Sequence, residues 1–298
     1  MPPVRRVVQS ILHGLIEPYL PGEPEVRGAV LPFREQEVVR HLSPDAVRVE
    51  DADLLLELYR EPRSGERVWL VDERWGICEM NLLRRTWRSW VLENPSIDAV
   101  RLFEAAVMWP MAQLLRPAGL HLIPAAAIGR NGRGALVISP FDVGPEIAAL
   151  GNSGVGVIGQ RWVALRAEDD GRVSLLSVPG RTEDSPAPRL LSAGPMGEPR
   201  WIDLADGRPC HHAFCELVLL VEPMRRSVAS ARALPGIEAR EQLKQSWPIP
   251  QLSGGQSATV ATNLLAASLS RTSAVHRVRL SRDGDDLARL LVRPALAA

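Results

Sequence analysis

The sequence predicts an α/β protein of two domains, the smaller at the N-terminal end and the larger built on a mixed sheet. Three observations carry this. The 298 residues exceed the usual size of one domain, and a hydrophobic content of 46% can fill two cores. Apolar runs of strand length alternate with stretches of helical spacing. Finally, the pattern changes around Asn94-Pro95-Ser96, which divides a small α/β domain at 1–95 from a larger one at 96–298.

The opening stretch places Val4, Val7, Val8, Ile11, Leu12, Leu15 and Ile16 at helical spacing, which predicts an amphipathic helix docked on its own domain. His13 and Glu17 interrupt the apolar stretch, and no small-residue cleavage site follows, so it does not read as a leader. Residues 25–75 alternate "VRGAVLPF" and "VWLVDERWG" with "DADLLLELYR", a helical stretch that Asp51 or Asp53 would cap. In "EMNLLRRTWRSWVLE", helical spacing puts Leu82, Leu83, Thr86, Trp87, Trp90 and Val91 on one face and Arg84, Arg85 and Arg88 on the other. The Trp pair reads as core. Ser96 caps a helix running to about Leu115, which Pro110 kinks or shortens.

From Gly119 the pattern turns to strands. "HLIPAAAIGRNGRGALVI" reads as two strands around an Asn-Gly turn, and "VGVIGQRWVALRAEDDGRVSLLSVPG" as another pair around "EDDG". The Pro, Gly and Ser-rich stretch 179–199 reads as loop. "AFCELVLLVEP" is the most apolar run and belongs at the centre of a sheet, followed by helices near 236–246 and 256–270 and a last strand "HRVRL".

Lys plus Arg equals Asp plus Glu at 35 each, so no global field favours nucleic acid or an anionic membrane. Three cysteines make a disulfide framework a poor fit and point to a reducing, cytoplasmic setting.

One stretch has the layout of a phosphate-binding loop. In "GALVISPFDVGPEIAAL" an apolar run, Ala135–Ile138, leads through a turn containing Asp142 and Gly144 into a helix starting at Pro145. Such loops need glycines, a lysine and a hydroxyl for magnesium. Here Pro145 and Glu146 take the places of the last two.

The order of strand, "RNGRG" hairpin, glycine turn, helix, "RWVAL" and "GRVSLLSVP" resembles the HPr kinase/phosphorylase family, and more narrowly its relatives found beside peptide-modification genes. The resemblance covers roughly 96–298 and implies a phosphoenolpyruvate-carboxykinase-like P-loop fold. It puts the family's Gly-Lys-Ser on Gly144, Pro145 and Glu146, and its Asp-Asp pair on Gln160 and Arg161; the family's His ahead of the "AAA" strand is Pro124 here. Every chemically required position is changed. Pro suits a first helical turn, and Glu146 complements the positive helix end by about 0.3–1 kcal/mol while repelling phosphate. Loss of the lysine and metal contacts, each about 1.5–3 kcal/mol, weakens nucleotide binding about 10²- to 10⁴-fold.

The expectation is a degenerate nucleotide site of Asp142, Gly144, Pro145, Glu146, Gln160 and Arg161. With it go no catalytic residue, no metal, no cofactor, and a pseudokinase that binds a protein or peptide partner, as homo-oligomer or hetero-complex. The alternative is an active ATP-dependent serine kinase that recruits Asp142, Asp169, Asp170 or Lys244. "LSGGQ" at 252–256 matches the signature of ABC ATPases, yet reads as a glycine turn before a helix. "CHHAFC" at 210–215 offers zinc-type ligands too close together for a tetrahedral site, and Cys215 reads as core.

Overall fold

The computed structural model describes residues 27–33, 42–49, 57–62, 66–92, 95–97, 99–141, 143, 147, 155–180, 189–193, 199–203, 212–223, 230–246 and 256–280. The chain is mixed α/β and forms two compact units, one of Met1–Ala118 with Ala193–Arg200 and Pro250–Thr259, the other of the rest. The helical segment 99–115 groups by contacts with the strands that precede it. The expected N-terminal helix lies outside the described residues.

The first unit holds a six-stranded sheet of β1 (Arg27–Phe33), β2 (Val47–Val49), β3 (Glu57–Arg60), β4 (Arg67–Asp72), β5 (Gly76–Asn81) and β6 (Thr86–Leu92). Its order is β1-β6-β5-β4-β3-β2, antiparallel except for β1, which runs parallel to β6. Two expectations are corrected here. Glu57–Arg60 of the supposed helix "DADLLLELYR" is strand, and "EMNLLRRTWRSWVLE" is a hairpin. The reason is burial on both faces: Trp87, Ser89, Trp90, Val91 and Leu92 are all buried, so β6 lacks the alternation that marks a strand. Trp87 and Trp90 are both core, as expected, although strand geometry sends them to opposite faces.

Helix α1 (Ala99–Phe103) passes through a π-helical turn (Glu104–Met108) into α2 (Trp109–Leu115) and a 3₁₀ turn (Arg116–Ala118). Ser96 does not cap this helix; its amide donates to the Arg74 carbonyl at 2.8 Å. Nor does Pro110 end it. Pro110 has no N–H for the carbonyl of Ala106, four residues back, and the π turn absorbs the mismatch, with Trp109 N–H reaching Glu104 instead. The Ala106 carbonyl accepts the hydroxyl of fully buried Ser89 at 2.6 Å, which fastens the helix to β6.

The second unit is built on β7 (Leu120–Pro124), β8 (Ala126–Arg130), β9 (Arg133–Ile138), β10 (Gly156–Gly159), β11 (Trp162–Ala167) and β12 (Val173–Ser177). The stretch 179–199, expected to be loop, contains β13 (Pro179–Gly180) and β14 (Arg189–Ala193), which join β15 (Pro199–Asp203) in a three-stranded sheet. β16 (His212–Pro223) is central, as its apolar run predicts. It pairs parallel with β9 and with β18 (Ala274–Leu280), and antiparallel with β12. β17 (Ser230–Ala233) pairs with β18. Helices α3 (Gly236–Gln245) and α4 (Gln256–Thr272) fall where expected.

The β8–β9 hairpin turns on Asn131 and Gly132, at φ 53° and 78°, the two left-handed residues of a type I′ turn. No helix of the described residues is long and apolar enough to cross a membrane.

Candidate functional site

The region singled out by the sequence lies at the carboxyl end of β9, on the parallel trio β9, β16 and β18, where open α/β sheets take ligands. β9 ends at Ile138, level with Leu220 of β16. The Ser139 hydroxyl then accepts the Phe141 amide at 3.2 Å, bending the chain out of the sheet. Val143 and Ile147 return it to the core, packed in one cluster with Val137, Val157, Leu219 and Val278, and the Ile147 amide donates to the Val143 carbonyl at 3.1 Å. Asp142, Gly144, Pro145 and Glu146 lie outside the described residues.

Gln160 and Arg161 form the bend between β10 and β11. β10 lies beside β8, with Gly159 level with Ala127, and β8 lies beside β9, with Ala127 level with Leu136. The bend is thus at the same end of the sheet as the turn after β9, two strands away, or about 10 Å. Gln160 is 7% exposed, while the Arg161 carbonyl accepts the Ala125 amide at 3.0 Å. Pro124, at the end of β7, sits level with Trp162 of β11. Three segments that the sequence singled out therefore share one end of one sheet: the chain after β9, the Gln160-Arg161 bend and the Pro124-Ala125 junction.

Most other chemically capable groups are engaged or buried. Asp169 and Asp170 sit in the exposed β11–β12 turn. Hydrogen bonds from the Arg172 backbone and side chain hold the Asp170 carboxyl below its usual range, with the ion pair at 2.7 Å. Lys244 is on α3, 2.9 Å from Glu241. Burial pushes the Cys78 and Cys215 thiols up to about 12, which keeps both protonated and unreactive. Of "CHHAFC", Cys210 and His211 are outside the described residues; His212 is exposed and Cys215 is core, as expected. Among the described residues no three His, Cys, Asp or Glu gather as a metal site.

One cluster escaped the sequence reading. The Ser174 hydroxyl donates to Glu168 and lies 3.0 Å from His212 Nε2, while Glu168 also pairs with Arg166 at 3.0 Å. Nothing in the spacing 168, 174 and 212 signals it, because the β12–β16 pairing brings them together. The set has the residue types of a hydrolase but not the wiring. Ser174 gives its proton to Glu168, so His212 donates to Ser174 rather than accepting from it, and Ser174 is fully buried, away from any substrate. Its role is to tie the β11–β12 turn to β16, where Arg172 also stacks over Phe214 at 3.5 Å from the ring centre.

No protein-family model and no curated protein matches the sequence. Among solved structures, the HPr(Ser) kinase/phosphatase from Coxiella burnetii is similar over 59% of this chain and 88% of that one, at 11% identity and a TM-score of 0.34.

Proposed function

We propose that this chain is a non-catalytic, HPr-kinase-like protein that binds a protein or peptide partner, as a scaffold or regulatory subunit. The observation that carries this reading is the identity of the residues at the Gln160-Arg161 bend. Magnesium requires oxygen ligands, chiefly carboxylates and phosphates, and a kinase needs a base near the hydroxyl it phosphorylates. Gln160 and Arg161 supply no carboxylate for the metal and no base for the hydroxyl. The resemblance also sets Pro145 and Glu146 where the family has the cation and hydroxyl that grip phosphate. A glutamate in the hydroxyl's place carries like charge to a nucleotide, and a proline in the lysine's place has no amide to offer it.

The rival is an active serine kinase with a rewired site. It would have to recruit carboxylates or a lysine from elsewhere, and two of its candidates, Asp170 and Lys244, are already held by Arg172 and Glu241. The discriminating experiment incubates the protein and its copurifying partner with labelled ATP and magnesium. The expected result is no transfer above a Glu146→Ala control. Phosphate on a serine of the partner, above that control, would establish the kinase instead.

A further inference from the structure

We propose that a recess on the six-stranded sheet of the first unit binds an acidic peptide in extended conformation. Its carboxylates would lie on Arg67, Arg84 and Arg88, and its backbone across the recess. This rests on the partner-binding half of the reading above and names the surface and the chemistry of the partner.

The recess measures about 540 Å³ and lies at the β5–β6 turn end of the sheet. It is lined by Arg67, Arg84 and Arg88, by one carboxylate, Glu79, and by Gly28 and Ala29. All three arginines are exposed, and among the described residues none has a carboxylate within ion-pair distance. That sets them apart from Arg74, Arg133 and Arg172, each of which holds a carboxylate of this chain. The excess of two positive charges selects an anion.

The layout selects which anion. Arg67 on β4 and Arg88 on β6 are separated by a full strand, so their backbones stand about 10 Å apart. Such a spread suits several carboxylates on one chain better than a single small anion. An extended peptide carries same-side groups about 7 Å apart, comparable to the step between the Thr86 and Arg88 rows of the wall. Arg84 is held in place by its turn, since its amide donates to Asn81 Oδ1 at 2.8 Å.

Gly28 lines the recess beside Trp87. A Cβ there would stand 2.2 Å from the Trp87 ring, so any larger residue would push that ring out of its buried seat.

The test uses the whole protein and a labelled peptide of alternating Glu and Val, with the Gln-Val peptide as control, followed by fluorescence anisotropy. The Glu-Val peptide should bind saturably. It should bind at least about tenfold more weakly to the Arg84→Gln, Arg88→Gln double variant, which alters exposed positions only and should leave the circular dichroism unchanged. Affinity should also fall with rising salt. Absence of binding, equal binding of the Gln-Val peptide, or an unchanged double variant would overturn the proposal, as would displacement by inorganic pyrophosphate as effective as by unlabelled peptide. Nucleotide is absent from this assay. A positive ATP result would defeat the pseudokinase reading alone, and a negative peptide result would defeat the recess alone.

Discussion

At Ser89, one hydroxyl compensates for one proline. Pro110 cannot serve the Ala106 carbonyl, and Ser89 does so from the neighbouring strand. Ser89→Ala leaves that buried acceptor unpaired and should cost about 1–3 kcal/mol in urea unfolding. Pro110→Ala restores an amide at the position four residues on, so the double variant should lose less than Ser89→Ala alone; additive losses would show that the two residues act separately. The thiols offer a second check. Cys78 and Cys215, raised to about 12 by burial, should resist alkylation until the protein unfolds. A thiol with a raised folded pKa contributes stability that is present below its unfolded value and lost as pH rises through the folded one. Stability should therefore fall from pH 9.0 toward about 12 and fall less in a Cys78→Ala, Cys215→Ala variant. Arg116 is 2% exposed, its Nη1 lacks a hydrogen bond, and burial lowers its pKa to about 10. Arg116→Met keeps the stem and removes the buried charge, so it should raise the melting temperature.

Among elements, the two hairpins show what a sequence discloses and what it conceals. The β8–β9 turn was legible because Asn131-Gly132 has a single comfortable use, two left-handed residues between right-twisted strands. Gly132→Ala, at φ 78°, should cost about 1–2 kcal/mol. The β5–β6 turn was not legible. It spans residues 82–85 without a glycine, takes its left-handed step at Arg85 with φ 50°, and is locked by the Asn81 side chain. Double-sided burial then gave β6 a helix-like spacing of apolar residues. The apolar run of β16 disclosed its central place, whereas its pairing with β12 and the Ser174–His212–Glu168 contact depend on partners far along the chain.

At the scale of the whole molecule, the mixed α/β class could be read from the alternation of apolar runs, whereas the strands within 179–203 could not. The helix after the Asn94-Pro95-Ser96 break packs back on the sheet through Ser89 and Ala106, a contact that no local pattern encodes. The candidate site is read from a set of substitutions against the resemblance, Pro145, Glu146, Gln160 and Arg161, of which the first two lie outside the described residues. That the Gln160-Arg161 bend lies at the same sheet end as the chain after β9 follows from the pairing of β10 with β8 and of β8 with β9, which no local pattern encodes. The central claim, that this end no longer serves a nucleotide, is tested most directly by the melting temperature of the whole protein with and without millimolar magnesium ATP, ADP or GTP. A ligand at about 100 times its Kd stabilises by about 2.7 kcal/mol, which is plainly visible. The account predicts no saturable shift with any of the three, and a saturable rise of several degrees would contradict it.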